Sequence, residues 1–321
     1  MNPETLSSEL LRALRGPRSQ VAMSRRLGYR SNVATTWESG RRWPTASRVL
    51  WAAKRLGVDV EGGLRRFYAI DSHFLDEVDA TAPAGVAALL QHMRQDLPIT
   101  LVAQRAGRSR FQVSRWLKGQ AEPRLPDFLR MIGATTHRTL DFVEVLVDPA
   151  SLPSAREEWH RLEQARSLFW RRPAAQLVLL ALELDDYRQL PAHDDQWLAK
   201  RLSLPLYEVV DLLDRLVSTG QATRDGAHYS IGQVRTVDTR RHPAAGEDMK
   251  RFWAGVGTDR LLDPGAHCAY NVFTVSEADL QRIVELYQTA YRRMRGIVAA
   301  SSPGERLVLV HRQIVPLDDP L

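Results

Sequence analysis

"RSNVATTWESGRRWPT", residues 30–45, and "SRFQVSRWLKGQAEPR", residues 109–124, are the two stretches that decide the fold. Each contains a Trp, a Gly three residues later and a Pro four residues after that. The offset that takes Trp37 to Trp116, which we call the repeat offset, also matches Gly28 with Gly107 without a gap. We therefore expect one structural unit to occur twice, with different side chains on its surface.

Capping and helix-breaking residues divide each stretch into short helices. Ser19 is expected to cap a helix that ends at Gly28, and Ser31 to cap a shorter helix that ends at Gly40. The second copy has Gly107 and Gly119 at the corresponding positions. Two helices joined by a tight glycine turn, the second only about two turns long, predict a helix-turn-helix in each copy.

The first copy, "QVAMSRRLGYRSNVATTWESGRRWPT" at residues 20–45, resembles the phage-repressor and Cro type of helix-turn-helix. Its matching positions are Gln20, Gly28, Trp37, Glu38, Gly40 and Pro44. The second copy keeps Gly107, Val113, Trp116, Gly119 and Pro123, but has Leu117 where the family usually has Glu. The resemblance covers about the first 145 residues. It implies that the helix after each glycine turn enters the major groove of double-stranded DNA.

The outward positions of the two recognition helices are the candidates for contact with base edges. They are Ser31, Asn32, Thr35 and Thr36 in the first copy, and Arg110, Gln112 and Arg115 in the second. Asn and Gln can pair with adenine, Arg with guanine, and Thr can meet a thymine methyl group. The alternatives are that both threonines are only solvated surface and that the second copy only braces the first. Phe111 suits either a thymine methyl group or the core.

A second group of residues suits contact with phosphate, which sets the register of a protein on DNA without reading its sequence. Gln20 matches the family position that holds a phosphate. The basic residues expected beside the groove are Arg30, Arg41, Arg42, Arg108 and Lys118.

The net charge of +6 is unevenly distributed along the chain. Residues 1–70 contain 13 Lys and Arg against 5 Asp and Glu, whereas residues 71–150 contain 9 against 10. The excess positive charge favours a polyanionic partner for the first copy. The single cysteine excludes an internal disulfide, and the N-terminus has no signal-peptide pattern, so we expect a cytoplasmic protein without a membrane partner.

Enzyme motifs are missing from the sequence. The nine His residues form no H-E-x-x-H or other metal-ligand spacing, and no glycine-rich phosphate loop occurs. No Lys follows Lys250, which excludes a Ser–Lys dyad within the C-terminal region. We expect no enzyme activity, no cofactor and no metal.

The C-terminal half has a different organisation. Residues 151–172 are expected to form a connecting helix, and residues 173–235 have the helix–helix–helix–hairpin order of a winged helix. Its third helix carries Glu208, Asp211 and Asp214, which would repel phosphates, so packing or dimerisation is favoured there. Residues 236–321 are expected to form a small α+β domain for dimerisation or sensing, with strands at 266–276 and 306–317 around a long amphipathic helix.

This half is similar to a bacterial family of transcriptional regulators whose biochemical role is undefined, and no functional residue follows from the similarity. The sequence thus predicts a mainly α fold: tandem helix-turn-helix domains at 1–70 and 71–150, a winged-helix-like unit, and a small α+β domain. We expect a sequence-specific DNA-binding regulator that forms a homodimer through its C-terminal half, with no indication of an effector. The alternative is a protein-interaction or sensory module with weak, non-specific DNA contact.

Overall fold

The structure, a computed structural model, describes residues 1–232 and 243–318, apart from the side chains of residues 69–71, 243 and 244. Over these ranges the fold is mainly helical and includes a two-stranded antiparallel sheet. It divides into two compact units, Met1–Glu163 and Gln164–Leu321. Both predicted helix-turn-helix segments lie in the first unit. The predicted boundary between 173–235 and 236–321 lies outside the described residues.

Two similar sets of five helices form most of the first unit. The first set is α1 (Pro3–Arg15), α2 (Gln20–Arg26), α3 (Val33–Glu38), α4 (Ala46–Leu56) and α5 (Val60–Tyr68). The second set is α6 (Pro83–Arg94), α7 (Ile99–Ala106), α8 (Arg110–Leu117), α9 (Leu125–Thr136) and α10 (Thr139–Leu146). Two 3-10 helices, Ala69–Asp76 and Pro149–Ser151, follow the two sets. The helix α11 (Arg156–Arg171) comes next, within the segment where a connecting helix is predicted.

Most of the expected helix ends are confirmed. Ser19 accepts a hydrogen bond from the Ala22 amide at 3.1 Å, and Gly28 and Gly107 have left-handed backbones with φ of 77° and 60°. The prediction that Ser31 caps α3 is wrong. The N-cap of that helix is Asn32, whose side chain makes no capping hydrogen bond. Both residues are polar and adjacent, so sequence alone could not distinguish them.

The two sets of helices share one core. α1 packs against α9 of the other set, α4 packs against α6, and α5 packs against α10. Phe142 lies edge to face against Phe67 at 5.6 Å and against Phe128 at 5.2 Å between ring centroids. Because each set completes the core of the other, neither is expected to fold alone.

A pair of backbone hydrogen bonds joins the two sets at equivalent positions. The Ala46 amide donates to the Pro123 carbonyl, and the Leu125 amide donates to the Pro44 carbonyl, both at 3.0 Å. Under the repeat offset, Pro44 corresponds to Pro123 and Ala46 to Leu125. Each bond is therefore the counterpart of the other, which is the mark of an isologous contact about a twofold axis. The two halves of this unit are related by a local pseudo-twofold.

The second unit has its own core. Its elements are α12 (Ala175–Ala181), α13 (Asp185–Arg188), α14 (Asp195–Leu202), α15 (Leu206–Ser218), β1 (Ala222–Asp225), β2 (His228–Ile231), α16 (Pro243–Asp259) and α17 (Glu277–Ala300). The predicted hairpin is confirmed, since Ala222 pairs with Ile231 and Asp225 with His228, but its turn is Gly226 and Ala227, one residue later than the Asp225-Gly226 turn that the sequence suggests. Tyr187 is fully buried, and its hydroxyl accepts a hydrogen bond from the Tyr229 amide at 3.0 Å.

The prediction of two C-terminal strands is wrong. Helix α17 is the long helix expected between them, but residues 266–276 and 306–317 are not in strands, and no strand lies next to them in the part of the chain that the structure describes. Both stretches have β-prone side chains, yet a strand needs a neighbour to complete its hydrogen bonds. No helix among the described residues has the length and apolar character needed to cross a bilayer.

Candidate nucleic-acid interface

Helix α3 is anchored along one face and partly accessible along the other. Ala34 and Trp37 are buried, and the Trp37 ring lies edge to face against Tyr29 at 5.9 Å. Ser31 and Asn32, which precede the first turn, are exposed, whereas Thr35 and Thr36 within the helix are half-buried. Of the four predicted outward residues, two are thus exposed and two are only partly accessible.

A buried carboxylate orients the polar side of α3. Glu38 is 4 % exposed and accepts from Arg15 Nε at 2.6 Å and from Gln20 Nε2 at 2.9 Å. The Gln20 Oε1 atom in turn accepts from the Thr35 hydroxyl at 2.8 Å. These bonds fix Gln20 between α2 and α3. Because an amide nitrogen carries two hydrogens, one of them remains for a phosphate oxygen.

The other polar residues of α3 keep part of their hydrogen-bonding capacity. Asn32 Oδ1 lies 3.2 Å from the Ser24 hydroxyl. Thr36 Oγ1 donates to the Val33 carbonyl at 2.8 Å, a local bond that leaves its lone pairs and its methyl group available. Asn32 and Thr36 are therefore supported from behind, and each retains a group that can face a base edge.

Helix α8 has the same arrangement with different side chains. Val113, Trp116 and Leu117 are buried, whereas its outward residues are exposed. Those outward residues are Arg110, Phe111, Gln112 and Arg115. Sequence reasoning left Phe111 open between core and surface, and the structure decides for the surface, with the ring 76 % exposed. The Arg110 guanidinium lies 5.8 Å from the centroid of that ring.

The basic residues expected beside the groove behave in two ways. Arg30, Arg41, Arg42 and Lys118 are exposed and form no ion pair with any described residue. Arg108 differs, because its Nη2 and Nε atoms lie 2.6 and 2.8 Å from Asp127 Oδ1. Since this carboxylate already neutralises the guanidinium, Arg108 is less suited to phosphate than predicted.

α3 and α8 are docked on the rest of the unit in equivalent ways. Arg12 Nη2 donates to the Glu38 carbonyl at 3.1 Å, and Gln91 Nε2 donates to the Leu117 carbonyl at 3.0 Å. These donors and acceptors correspond under the repeat offset. The local pseudo-twofold therefore relates α3 to α8 as well.

The outward side chains do not follow this symmetry. The position of Ser31 corresponds to Arg110, and that of Thr36 corresponds to Arg115. The first surface is small and polar, while the second carries two guanidinium groups. One scaffold thus presents two surfaces of different hydrogen-bonding character.

Sequence reasoning missed a residue at the junction of the two halves. Arg124 Nη1 donates to the Trp43 carbonyl at 2.8 Å, between the segments that follow α3 and α8. Its position next to Pro123, the counterpart of Pro44, was the available signal.

No protein-family model matches the chain, and neither a curated protein nor a solved structure matches it significantly.

Proposed function

We propose that the chain is a sequence-specific, double-stranded DNA-binding transcriptional regulator in which α2–α3 and α7–α8 act as tandem helix-turn-helix units. The proposal depends on one observation above all: two short helices, each with accessible polar side chains on it or at its start, are equivalently docked about a pseudo-twofold axis. A helix of this kind fits the major groove, where a few side chains can read base edges.

The pseudo-twofold adds an expectation about the DNA site. Two helices related by a twofold axis suit half-sites in inverted orientation, about 34 Å apart for successive major grooves. Because the two surfaces differ, the half-sites should differ in sequence. Arg110 and Arg115 favour guanine in the second half-site, while Asn32 favours adenine in the first.

The winged-helix-like unit is proposed to have a role other than DNA binding. On α15, Glu208 and Asp211 pair with Arg172 at 3.1 and 3.2 Å. Asp211 also pairs with Arg215 at 2.9 Å. Both arginines are thus occupied by carboxylates, and Asp214 adds a further negative charge, so this helix offers no free basic side chain to phosphate, which favours packing or assembly for this unit.

The decisive experiment is selection of bound fragments from random or genomic DNA with the full chain, followed by footprinting. We expect one footprint with two unlike, inverted half-sites. Affinity should fall by orders of magnitude between about 50 and 200 mM salt, because neutralised phosphates release counterions. Equal, salt-insensitive binding to every duplex would contradict the proposal and favour the interaction or sensory alternative.

Surface variants separate the contributions of the two copies. Deletion of either copy is unsuitable because the halves share a core, so Arg110, Gln112 and Arg115 on α8 are replaced by Ala together. The footprint should then shrink to the half-site of α3. An unchanged footprint would mean that the second copy only braces the first. Arg201→Ala, which removes an exposed side chain paired with Asp186 in the second unit, is the matched control and should change nothing.

A further inference from the structure

Phe111 is the side chain of α8 that points most directly away from the core. At about 100° per residue, it lies about 165° around the helix from the mean direction of the buried Val113, Trp116 and Leu117. Arg115, one turn further on, lies about 155° from that direction, on the same outward face. The Phe111 ring is 76 % exposed, which agrees with this placement. A large apolar ring therefore occupies the centre of the surface that is proposed to read the second half-site.

The surroundings of this ring are basic. Residues 99–121 contain five Lys and Arg residues and no Asp or Glu. Arg110, Arg115 and Lys118, which lie on α8 or directly after it, form no ion pair within the described part of the chain. The Arg110 guanidinium lies 5.8 Å from the centroid of the Phe111 ring. Unpaired positive charge around an apolar side chain suits a polyanion that carries an apolar group of its own, and double-stranded DNA is such a partner.

The major groove of DNA carries one apolar substituent, the 5-methyl group of thymine. A phenyl ring has no conventional hydrogen-bonding group, so it gains from contact with this methyl group and loses where it covers polar atoms that need a partner. 5-Methylcytosine carries a methyl group at the same position of its ring. Phe111 thus suits a 5-methylpyrimidine and disfavours uracil and unmodified cytosine.

The equivalent position in the first copy is polar. Under the repeat offset, Phe111 corresponds to Asn32, which is also exposed. Asn can read adenine through hydrogen bonds, whereas Phe can read only an apolar group. The two halves of the unit therefore differ in the kind of base feature that this position recognises.

We propose that Phe111 recognises the methyl group of a 5-methylpyrimidine in the second half-site. This inference rests on the proposed DNA-binding function and adds a specificity that depends on one methyl group. Phe111 and Arg115 are separated by about 6 Å along the helix axis, which corresponds to about two base steps of about 3.4 Å each. The thymine should therefore lie within about two base pairs of the guanine expected opposite Arg115.

Replacement of thymine by uracil tests the proposal, because it removes the methyl group and keeps the hydrogen-bonding groups. In the site selected with the full chain, each thymine of the second half-site is replaced in turn. At one position the affinity should fall about fivefold, the loss expected for one buried methyl group. At the same position, 5-methylcytosine should bind about fivefold more tightly than cytosine. Phe111→Ala should bind the two members of each pair of duplexes equally.

Two further variants are the controls. Phe111→Leu keeps an apolar side chain and should retain a preference for the methylated base. Tyr207→Ala removes an aromatic side chain from α15 that is 77 % exposed, and it should leave the fivefold effect unchanged. All three substitutions are at exposed positions, so the fold should be preserved.

The outcomes separate this inference from the proposed function. A uracil effect that persists in Phe111→Ala overturns the inference and leaves specific DNA binding intact. The same conclusion follows if no thymine of a specifically bound site is sensitive to uracil, and Phe111 would then suit a protein partner instead. Failure to select any site overturns both the inference and the DNA-binding function on which it rests.

Discussion

Thr45 and Arg124, which occupy equivalent positions in the two copies, face each other in an isolated antiparallel β-bridge. A repeat related by simple translation would bring unlike positions together, whereas a twofold axis pairs each position with its own counterpart. The chain thus holds in one polypeptide the arrangement that identical subunits form when they dimerise. Covalent linkage leaves the two outward surfaces free to differ.

Substitutions on the two outward surfaces should affect different bases. Asn32→Ala and Arg115→Ala should each cost about 1–3 kcal/mol of binding free energy and relax preference at one base pair, in opposite half-sites. Arg41→Ala should weaken binding to all duplexes alike, because a phosphate contact carries no sequence information. Titration of single-base variants of the selected site measures both effects. Loss of preference in the same half-site for Asn32 and Arg115 would contradict the pseudo-twofold arrangement on DNA.

The end of the first helix in each copy predicts a stabilising substitution. Gly16 and Gln95 are equivalent and adopt similar conformations, with φ and ψ of 61° and −142° for Gly16 and 51° and −126° for Gln95. A side chain is strained there, so Gln95→Gly should raise the free energy of unfolding by about 1 kcal/mol, after allowance for the greater freedom of glycine in the unfolded chain. Gly16→Gln should lower it. Urea denaturation of both variants is the test, and a destabilised Gln95→Gly variant would disprove the strain.

Close packing between α5 and α10 predicts the opposite effect for a glycine. A Cβ atom on Gly63 would lie 2.8 Å from a Val145 methyl carbon and 3.2 Å from its carbonyl oxygen. Gly63→Ala should therefore destabilise the protein by about 1–3 kcal/mol, more than the gain in helix propensity.

Two further variants control this prediction. Gly63→Ala combined with Val145→Ala should lose less than the sum of the two single effects, because the truncated side chain makes room. At Gly62, on the same helix, the new Cβ would meet only the side chain of Asp59. Gly62→Ala should therefore be close to neutral, and an equal loss at both glycines in thermal or urea denaturation would contradict tight packing between the halves.

An ion pair between the halves should make stability depend on pH. The Arg130 guanidinium, from α9, hydrogen-bonds Glu4 of α1 and holds the pKa of that carboxyl below its ordinary value. The pair therefore stabilises the protein above the pKa of Glu in the unfolded chain, and this contribution is lost as the pH falls through the lowered folded pKa.

Removal of this carboxylate tests the sign of the pH dependence. Glu4→Gln should lower the free energy of unfolding by up to about 1 kcal/mol near pH 7, because Glu4 is partly exposed, and the difference should vanish in acid. Denaturation measured at both pH values checks it. Glu61→Gln, which removes an exposed pair within the first copy, is the control with a smaller expected effect. A difference that persists in acid would show that the charge of Glu4 is not responsible.

Local signals in the sequence located most helices of the first unit. Gly28 and Gly107 end α2 and α7 because a left-handed backbone is available to glycine at little cost, and Trp37 and Trp116 mark the buried faces of α3 and α8. The same reasoning placed strands at 266–276 and 306–317 where there are none. β-propensity records how side chains fit a pleated surface, and it cannot supply the neighbouring strand.

The candidate site was likewise only partly predictable. Exposed positions such as Gln112 and Arg115 follow from helical periodicity, since the opposite face carries the buried residues. The pairing of Arg108 with Asp127 joins residues 19 positions apart. The network around Glu38 likewise brings together residues of α1, α2 and α3. Such contacts depend on how helices cross, which periodicity does not specify.

By itself the sequence determined that one helical scaffold occurs twice and that its outward side chains differ, because turns, caps and periodicity are local properties of the chain. Only the tertiary structure decided that the copies are related by a pseudo-twofold and share one core. That relation is set by non-local hydrogen bonds, such as those between Ala46 and Pro123 and between Leu125 and Pro44, and by packing across the two halves. The repeat offset is the same whether two copies lie in tandem or face each other, and only their contacts distinguish the two arrangements.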